Sequence, residues 1–181
     1  MARLYDRVAL IGFGLIASSM AHAMRAHGLA GHIAGHAKTA GTRKIARDMR
    51  LCDSVHDTAA EAVRDADLVV LAVPVGAMGQ VAAEIAPHLK PGATVTDVGS
   101  VKQAVIDAVA PHMTPGVHFV PGHQLAGTEY SGPRSGFATL FQNRWWLLTP
   151  LAQADMGAVA KLRALCQAMG ANVDEMDAAH H

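Results

Sequence analysis

The sequence predicts a doubly wound α/β domain, with a mostly parallel sheet and helices on both faces. Short apolar runs alternate along the chain with longer segments of helical period. The run at 67–74 is continuous and β-branched, as a buried parallel strand requires. A glycine-rich turn separates the first strand from the first helix. Because 181 residues suffice for one domain with a core, we expect a single unit over residues 1–176.

Each predicted element follows from its own local pattern. Gly28 ends the first helix, and Pro74 ends the clearest strand. A glycine-rich loop separates two strands in the second half. The predicted strands lie at 7–12, 32–36, 67–74, 93–100, 117–123, 144–150 and 171–176, and the predicted helices at 15–28, 42–49, 59–66, 78–89, 101–113 and 156–170.

Composition excludes several classes of function. Fifteen Lys and Arg residues balance fifteen Asp and Glu residues, so no net field attracts nucleic acid or an anionic membrane. No apolar stretch reaches the roughly 20 residues that cross a bilayer. Cys52 and Cys166 are too few for a disulfide framework or a metal cluster. We therefore expect a cytoplasmic protein with no resident metal.

The turn after the first strand carries a nucleotide-binding pattern. "GFGLIA" places Gly12, Gly14 and Ala17 in the G-x-G-x-x-A spacing, between a strand and a helix. Gly12 permits the tight turn, Gly14 lets a pyrophosphate approach the backbone, and Ala17 lets the helix pack on the strand. This spacing predicts a Rossmann-type dinucleotide site that also includes Leu15 and Ile16. The alternative is a tight turn that binds nothing.

The end of the second strand bears on the choice of cofactor. An acidic residue there would bind the ribose 2′-hydroxyl of NAD and repel the 2′-phosphate of NADP. The chain instead has His36, Lys38 and Thr39, with Arg43 a turn later. NAD or NADP is therefore compatible, and the basic side chains could meet a phosphate or could simply be solvated.

The candidate residues follow the ends of strands. Val73 and Pro74 end one strand, Ser100 follows the next, and His123 follows a third. Because ligands of open α/β sheets bind outside the carboxyl ends of the strands, we expect these loops to converge on one site. Val73 and Pro74 are accordingly expected beside the cofactor.

The stretch "GHQLAGTEYSG" at 122–132 holds many polar side chains among glycines. An imidazole titrates near neutrality, so His123 could accept the hydroxyl proton of an alcohol that loses hydride. A lone loop histidine is more often structural or exposed than catalytic.

Five motifs together are specific for one family. They are "GFGLIASS" at 12–19, "DLVVLAVPV" at 67–75, "DVGSVK" at 97–102, "GHQLAGTEYSGP" at 122–133, and "LF" with "LLTP" within 140–150. The sequence thereby resembles the prephenate/arogenate dehydrogenase family of tyrosine biosynthesis over essentially its whole length. Members oxidatively decarboxylate a cyclohexadienol with hydride transfer to NAD(P).

The resemblance implies roles for several residues. His123 would bind and deprotonate the ring hydroxyl, and Ser100 would hydrogen-bond nearby, although Ser100 could also be a helix N-cap. Thr128, Glu129 and Ser131 match the "GTExSG" stretch near the substrate side chain, and Lys102 matches without a role that we can assign. Small-molecule recognition without a metal or covalent nucleophile is expected.

Two departures from the family pattern stand out. Gln124 replaces the proline that usually follows the catalytic histidine, and could contact substrate. The family continues into a helical domain that forms a homodimer, and residues 177–181 would begin the linker to it. Two alternatives remain: another dehydrogenase of the β-hydroxyacid dehydrogenase or imine reductase type, and a non-catalytic NAD(P)-sensing domain.

Overall fold

The computed structural model describes residues 2–181. In chain order its principal elements are β1 (Tyr5–Ile11), α1 (Leu15–His27), β2 (Ala30–His36), α2 (Ala40–Asp48), β3 (Ser54–Val55), α3 (Ala59–Ala62), β4 (Leu68–Leu71), α4 (Val75–Ile85), β5 (Thr94–Asp97), α5 (Lys102–Val109), β6 (His118–Phe119), β7 (Gly122–Gln124), β8 (Trp145–Leu148), α6 (Met156–Ala168) and β9 (Asn172–Glu175).

Six strands form a parallel sheet in the order β3-β2-β1-β4-β5-β6. The chain starts at the centre with β1, proceeds outward to β3, then returns to β4 on the other side of β1. This reversal of direction leaves a crevice at the carboxyl ends of β1 and β4, where ligands of such sheets bind. The predicted Rossmann-type fold is confirmed.

The central strands bury both faces. Val8 and Leu10 of β1 belong to one apolar cluster, which includes α1 and α6, whereas Ala9 and Ile11 belong to another with α3, α4 and α5. Side chains of a strand alternate between faces, so this division puts helices on both sides of the sheet. It also explains why β4 reads as a continuous apolar run.

A second sheet of three strands packs against the first cluster. β7 and β8 pair antiparallel, and β8 and β9 pair parallel. Trp146 and Leu148 of β8 join the same apolar cluster as α1. The two sheets therefore share one core.

Some predicted boundaries are wrong. The strand predicted at 117–123 is divided between the two sheets, because Pro121 cannot donate to a ladder and the chain changes partners there. β3 was not predicted, since two residues carry no periodic signal. The helix predicted at 59–66 ends after one turn, and α4 starts at Val75, directly after Pro74. Across residues 2–181, every helix is too short or too polar to cross a bilayer.

Candidate functional site

Gly12 makes the turn at the end of β1. Its φ of 98° lies in the left-handed region, and a Cβ there would approach the carbonyl oxygen of Ala72 to 2.8 Å. Its N–H donates to the carbonyl of His36 at 2.8 Å, which ties the turn to the end of β2. Only glycine tolerates both the positive φ and the close approach of Ala72.

The first turn of α1 is open toward the same edge. Gly14 is the N-cap, no side chain caps the helix, and no acidic residue lies in its first turn. A Cβ built on Gly14 would meet nothing within 4 Å. The N–H groups of this first turn, including those of Leu15 and Ile16, have no partner within the helix, and together with the open space beside Gly14 they suit a pyrophosphate. Ala17 is fully buried, as close packing of α1 on the sheet requires.

A cleft of about 320 Å³ adjoins this turn. It brings together five of the residues predicted for the cofactor site, namely Gly12, His36, Lys38, Val73 and Pro74. A neighbouring depression adds Gly14 and Thr39 to the same region. The predicted cofactor residues are thus contiguous at one edge of the sheet.

The basic side chains after β2 differ in availability. Arg43 donates to the carbonyls of Ala37 at 2.8 Å and Lys38 at 3.1 Å, so it supports the loop. The Thr39 hydroxyl caps α2 by accepting from the Thr42 N–H at 3.2 Å. Lys38 is exposed on the cleft. Lys38 is therefore the most accessible of these basic side chains on the cleft.

Asp57 also lines this cleft, and the sequence reasoning missed it. Its carboxylate lies 3.5 Å from Arg43 Nε and 3.7 Å from Arg47 Nη2. An acidic residue was sought at the end of β2, whereas Asp57 follows β3, a strand too short to predict.

His123 occupies the middle of β7, where it pairs with Leu147 of β8. Its Nδ1 lies 2.7 Å from Nε2 of His181. Burial lowers the pKa of His123 below the usual value, and the neighbouring His181 and Lys102 lower it further. The imidazole is therefore neutral near pH 7, which is the form that accepts a proton.

A buried ion pair contacts Gly122, the residue before His123, and no role was predicted for it from the sequence. The side chains of Asp97 and Lys102 are both fully buried, and Lys102 Nζ donates to Asp97 Oδ2. Burial raises the pKa of Asp97 and lowers that of Lys102, with each partner opposing the shift of the other. Lys102 also donates to the carbonyl of Gly122 at 2.6 Å.

The ends of the strands lie side by side, as expected. The Ala72 N–H donates to Ile11 O at 2.8 Å, and the Val98 N–H donates to Leu71 O at 3.3 Å, which joins the ends of β1, β4 and β5. The Gly122 N–H then donates to Asp97 Oδ1 at 3.2 Å. A continuous set of contacts thus leads from the glycine turn to the strand that carries His123.

Ser100 lies in this row, exposed between β5 and α5. Its alternative role as a helix cap is wrong, because α5 starts at Lys102 and Val101 is its N-cap, with no side-chain cap bond. Its hydroxyl is free to contact a ligand. Within residues 2–181, no three His, Cys, Asp or Glu side chains are grouped as a metal site would need.

The loop after β7 is fixed at both ends. Gln124 is buried, and its Oε1 accepts the N–H of Ala126 at 2.8 Å, so it closes the turn and does not line open space. At the far end, Gly136 packs on Ser18, and the Phe137 N–H donates to Ser19 Oγ at 3.1 Å. The loop therefore spans from β7 to α1.

The middle of the loop holds the other predicted substrate contacts. Thr128, Glu129 and Ser131 are all exposed. Thr128 Oγ1 accepts the N–H of Tyr130 at 3.1 Å, which shapes a local turn. The Glu129 and Ser131 side chains remain available to a ligand.

Comparison with known proteins agrees with this architecture. The sequence profile of the family described as "Prephenate dehydrogenase, nucleotide-binding domain" matches residues 20–175. The chain belongs to this family. A cyclohexadienyl dehydrogenase of Zymomonas mobilis is 42% identical to it over 177 residues, which cover 98% of the chain and 60% of that relative.

Solved structures of family members superpose closely. The prephenate dehydrogenase of Aquifex aeolicus, in complex with hydroxyphenyl propionate and NAD+, has a TM-score of 0.89 at 27% identity, covering 97% of this chain and 61% of that one. Synechocystis arogenate dehydrogenase gives a TM-score of 0.89 at 28% identity, with coverage of 97% and 61%. The chain thus spans about 60% of the length of these family members.

Proposed function

We propose that this chain is the cofactor-binding and proton-accepting part of a dehydrogenase that oxidatively decarboxylates prephenate or arogenate. The observation that carries the proposal is the position of His123. It lies on a strand held directly against the end of β5, in the same row of loops as the glycine turn. A proton acceptor and a dinucleotide site at one edge suit the oxidation of an alcohol.

The cofactor is a nicotinamide dinucleotide, which accepts the hydride when bound. The open N–H groups of α1 would hold the pyrophosphate, and the cleft lined by His36, Lys38, Val73 and Pro74 would hold the adenosine end. We propose that both NAD and NADP bind, because no carboxylate ends β2 and Lys38 is exposed there. The carboxylate of Asp57 in the same cleft is balanced by Arg43 and Arg47.

His123 would take the hydroxyl proton as the carbinol C–H leaves as hydride. Its lowered pKa keeps the imidazole neutral and ready to accept. Loss of carbon dioxide then returns an electron pair to the ring oxygen, which recovers the proton to give a phenol. The exposed Ser100 hydroxyl would hydrogen-bond to the same oxygen.

The exposed loop would approach the side chain of the substrate. Thr128, Glu129 and Ser131, which are exposed, would distinguish a keto group from an amino group, since the carboxylate of Glu129 suits an ammonium group. Gln124 is left out of this set because its oxygen already accepts a backbone N–H.

We further propose that residues 1–176 are the dinucleotide domain, that residues 177–181 begin a linker, and that the rest of the enzyme forms a homodimer over this edge. The extra length of the relatives supports this division. So do the exposed apolar side chains near the edge, namely Val101, Leu125, Tyr130 and Phe137. Such side chains suit a covering surface.

A four-way assay tests the proposal. Prephenate or arogenate is mixed with NAD or NADP at high protein concentration, cofactor reduction is followed by absorbance, and cofactor binding is measured separately by calorimetry. Reduction that depends on both substrate and His123 supports the proposal. Cofactor binding without reduction, in a chain as long as the relatives, would favour a sensor instead.

A further inference from the structure

We propose that Asp97 and Lys102 are positioning residues that fix the place of His123 through the peptide groups of Gly122. The proposal rests on the proposed function in one respect, since it takes His123 as the proton acceptor. Neither side chain is accessible to a ligand, because both are fully buried. Their role must therefore act through the backbone.

Gly122 is held at both of its polar groups by this pair. Its N–H donates to Asp97 Oδ1 at 3.2 Å, and its carbonyl accepts from Lys102 Nζ at 2.6 Å. The second carboxylate oxygen accepts from Lys102 and from the Gly99 N–H at 2.8 Å. The pair thus joins β5, the start of α5 and β7 immediately before His123.

Backbone hydrogen bonds between strands do not hold β7 against β5. β7 pairs with β8 in the second sheet, and β5 pairs with β4 and β6 in the first. A Cβ on Gly122 would lie 3.2 Å from both Asp97 O and Trp146 Nε1, so glycine lets the two sheets approach closely. The ion pair therefore supplies polar bonds across a junction where the strands make none.

The geometry also explains why two charges are buried here. A buried ion pair adds little stability compared with apolar side chains of the same size. It can, however, satisfy the N–H and the carbonyl of one residue, Gly122, at the same time, which apolar side chains cannot. Displacement of a reacting group by about 1 Å can lower turnover about 100-fold.

The test compares the double variant Asp97→Leu/Lys102→Met with the wild type, because a leucine in place of Asp97 accepts no hydrogen bond from Gly122. The double variant removes both charges together, so that no single buried charge is left unpaired. We expect kcat on the cyclohexadienol substrate to fall roughly 100-fold, with the dissociation constant of the cofactor unchanged within about twofold. The matched control is Lys90→Met, which removes the Lys90–Asp67 ion pair of 2.5 Å at the opposite end of the sheet. The control should keep wild-type kcat.

Two further measurements keep the test decisive. Nitrogen-15 NMR of labelled histidines is recorded at a pH well above the pKa of His123, so that the loss of the Lys102 charge leaves the imidazole neutral in every variant. The His123 signal, assigned by its loss in His123→Asn, should be displaced in the double variant and unchanged in Lys90→Met. If the double variant does not fold, Gly122→Ala replaces it, because the added methyl group separates the sheets while both charges remain.

The outcomes separate this inference from the proposed function. Wild-type kcat in a folded double variant, or an unmoved His123 signal, overturns the positioning role. If the wild-type enzyme reduces no cofactor with either substrate, the proposed function fails, and the NMR signal alone then decides whether the pair positions His123.

Discussion

His123 combines three properties: it lies on a paired strand, it is half-buried, and the preceding residue, Gly122, is bonded to two buried charged side chains. Each property restricts the motion of the ring. A base that is fixed in place loses little entropy when the substrate binds. The eleven histidines of the chain are therefore not equivalent in chemistry.

Substitution of His123 by Asn should abolish the reaction without affecting the cofactor. Asn retains polarity but accepts no proton near neutral pH, so we expect turnover to fall by roughly 10²- to 10⁴-fold. Calorimetry should show the same cofactor affinity as the wild type. His112→Asn, on an exposed site, is the matched control. Wild-type turnover in His123→Asn would remove the proposed base.

The titration of His123 should show the effect of its surroundings. Burial, His181 and Lys102 all lower its pKa, so its NMR titration should have a midpoint below the ordinary value of 6.5. Replacement of His181 by Asn removes one of the lowering groups, and the midpoint should then rise toward the ordinary value. A midpoint above 6.5 in the wild type would contradict the described environment.

Lys38 should distinguish the two cofactors. Because it is exposed on the cleft beside Gly12 and Pro74, Lys38→Ala should weaken NADP binding by roughly tenfold, about 1.4 kcal/mol. The affinity for NAD should change by less than about twofold. Lys44→Ala is the control, since Lys44 does not line the cleft and its Nζ lies 2.6 Å from Asp48 Oδ2. Equal losses for both cofactors would place the 2′-phosphate elsewhere.

At the scale of elements, the glycine turn between β1 and α1 divides folding from binding. Gly12→Ala places a Cβ 2.8 Å from Ala72 O at a positive φ, and should destabilise the protein by roughly 1–3 kcal/mol. Gly14→Ala has an extended backbone and open space, so stability should change by less than about 1 kcal/mol. Its methyl group would instead obstruct the pyrophosphate.

Thermal unfolding with and without NAD separates these two effects. The Gly14→Ala variant should unfold near the wild-type temperature and gain little from added NAD. The Gly12→Ala variant should unfold at a lower temperature in either condition. If Gly14→Ala binds NAD as tightly as the wild type, the phosphates do not lie over α1.

The elements also show what local sequence can predict. β1, α1 and β4 were predicted because their apolar patterns are clear, and Gly28 correctly marked the end of α1. The predicted end of the strand at Pro74 was wrong, because β4 ends at Leu71 and Pro74 is the N-cap of α4. The strand divided at Pro121 was wrong because the choice of partner strand depends on distant residues. Lys102 read as an ordinary residue at a helix start, because its burial depends on Asp97 and Gly122 and on no local pattern.

At the scale of the whole molecule, the two sheets should unfold together. Both Trp residues lie in β8 of the second sheet, whereas most helices flank the first, and one apolar cluster contains residues of both. Tryptophan fluorescence and circular dichroism should therefore report one coincident thermal transition. Cofactor at 100 times its dissociation constant should raise the free energy of unfolding by about 2.7 kcal/mol, and both signals should report the same increase. An earlier fluorescence transition would show that the second sheet unfolds independently.

His123 lies in the second sheet, whereas the glycine turn follows a strand of the first sheet, and this separation has an evolutionary consequence. Mutations in β8 or β9 could alter the distance between the base and the nicotinamide without altering any residue that contacts the cofactor. Catalytic rate and cofactor affinity are thereby open to independent selection. Lineages of this fold can be expected to diverge in rate through the second sheet while their nucleotide pocket stays the same.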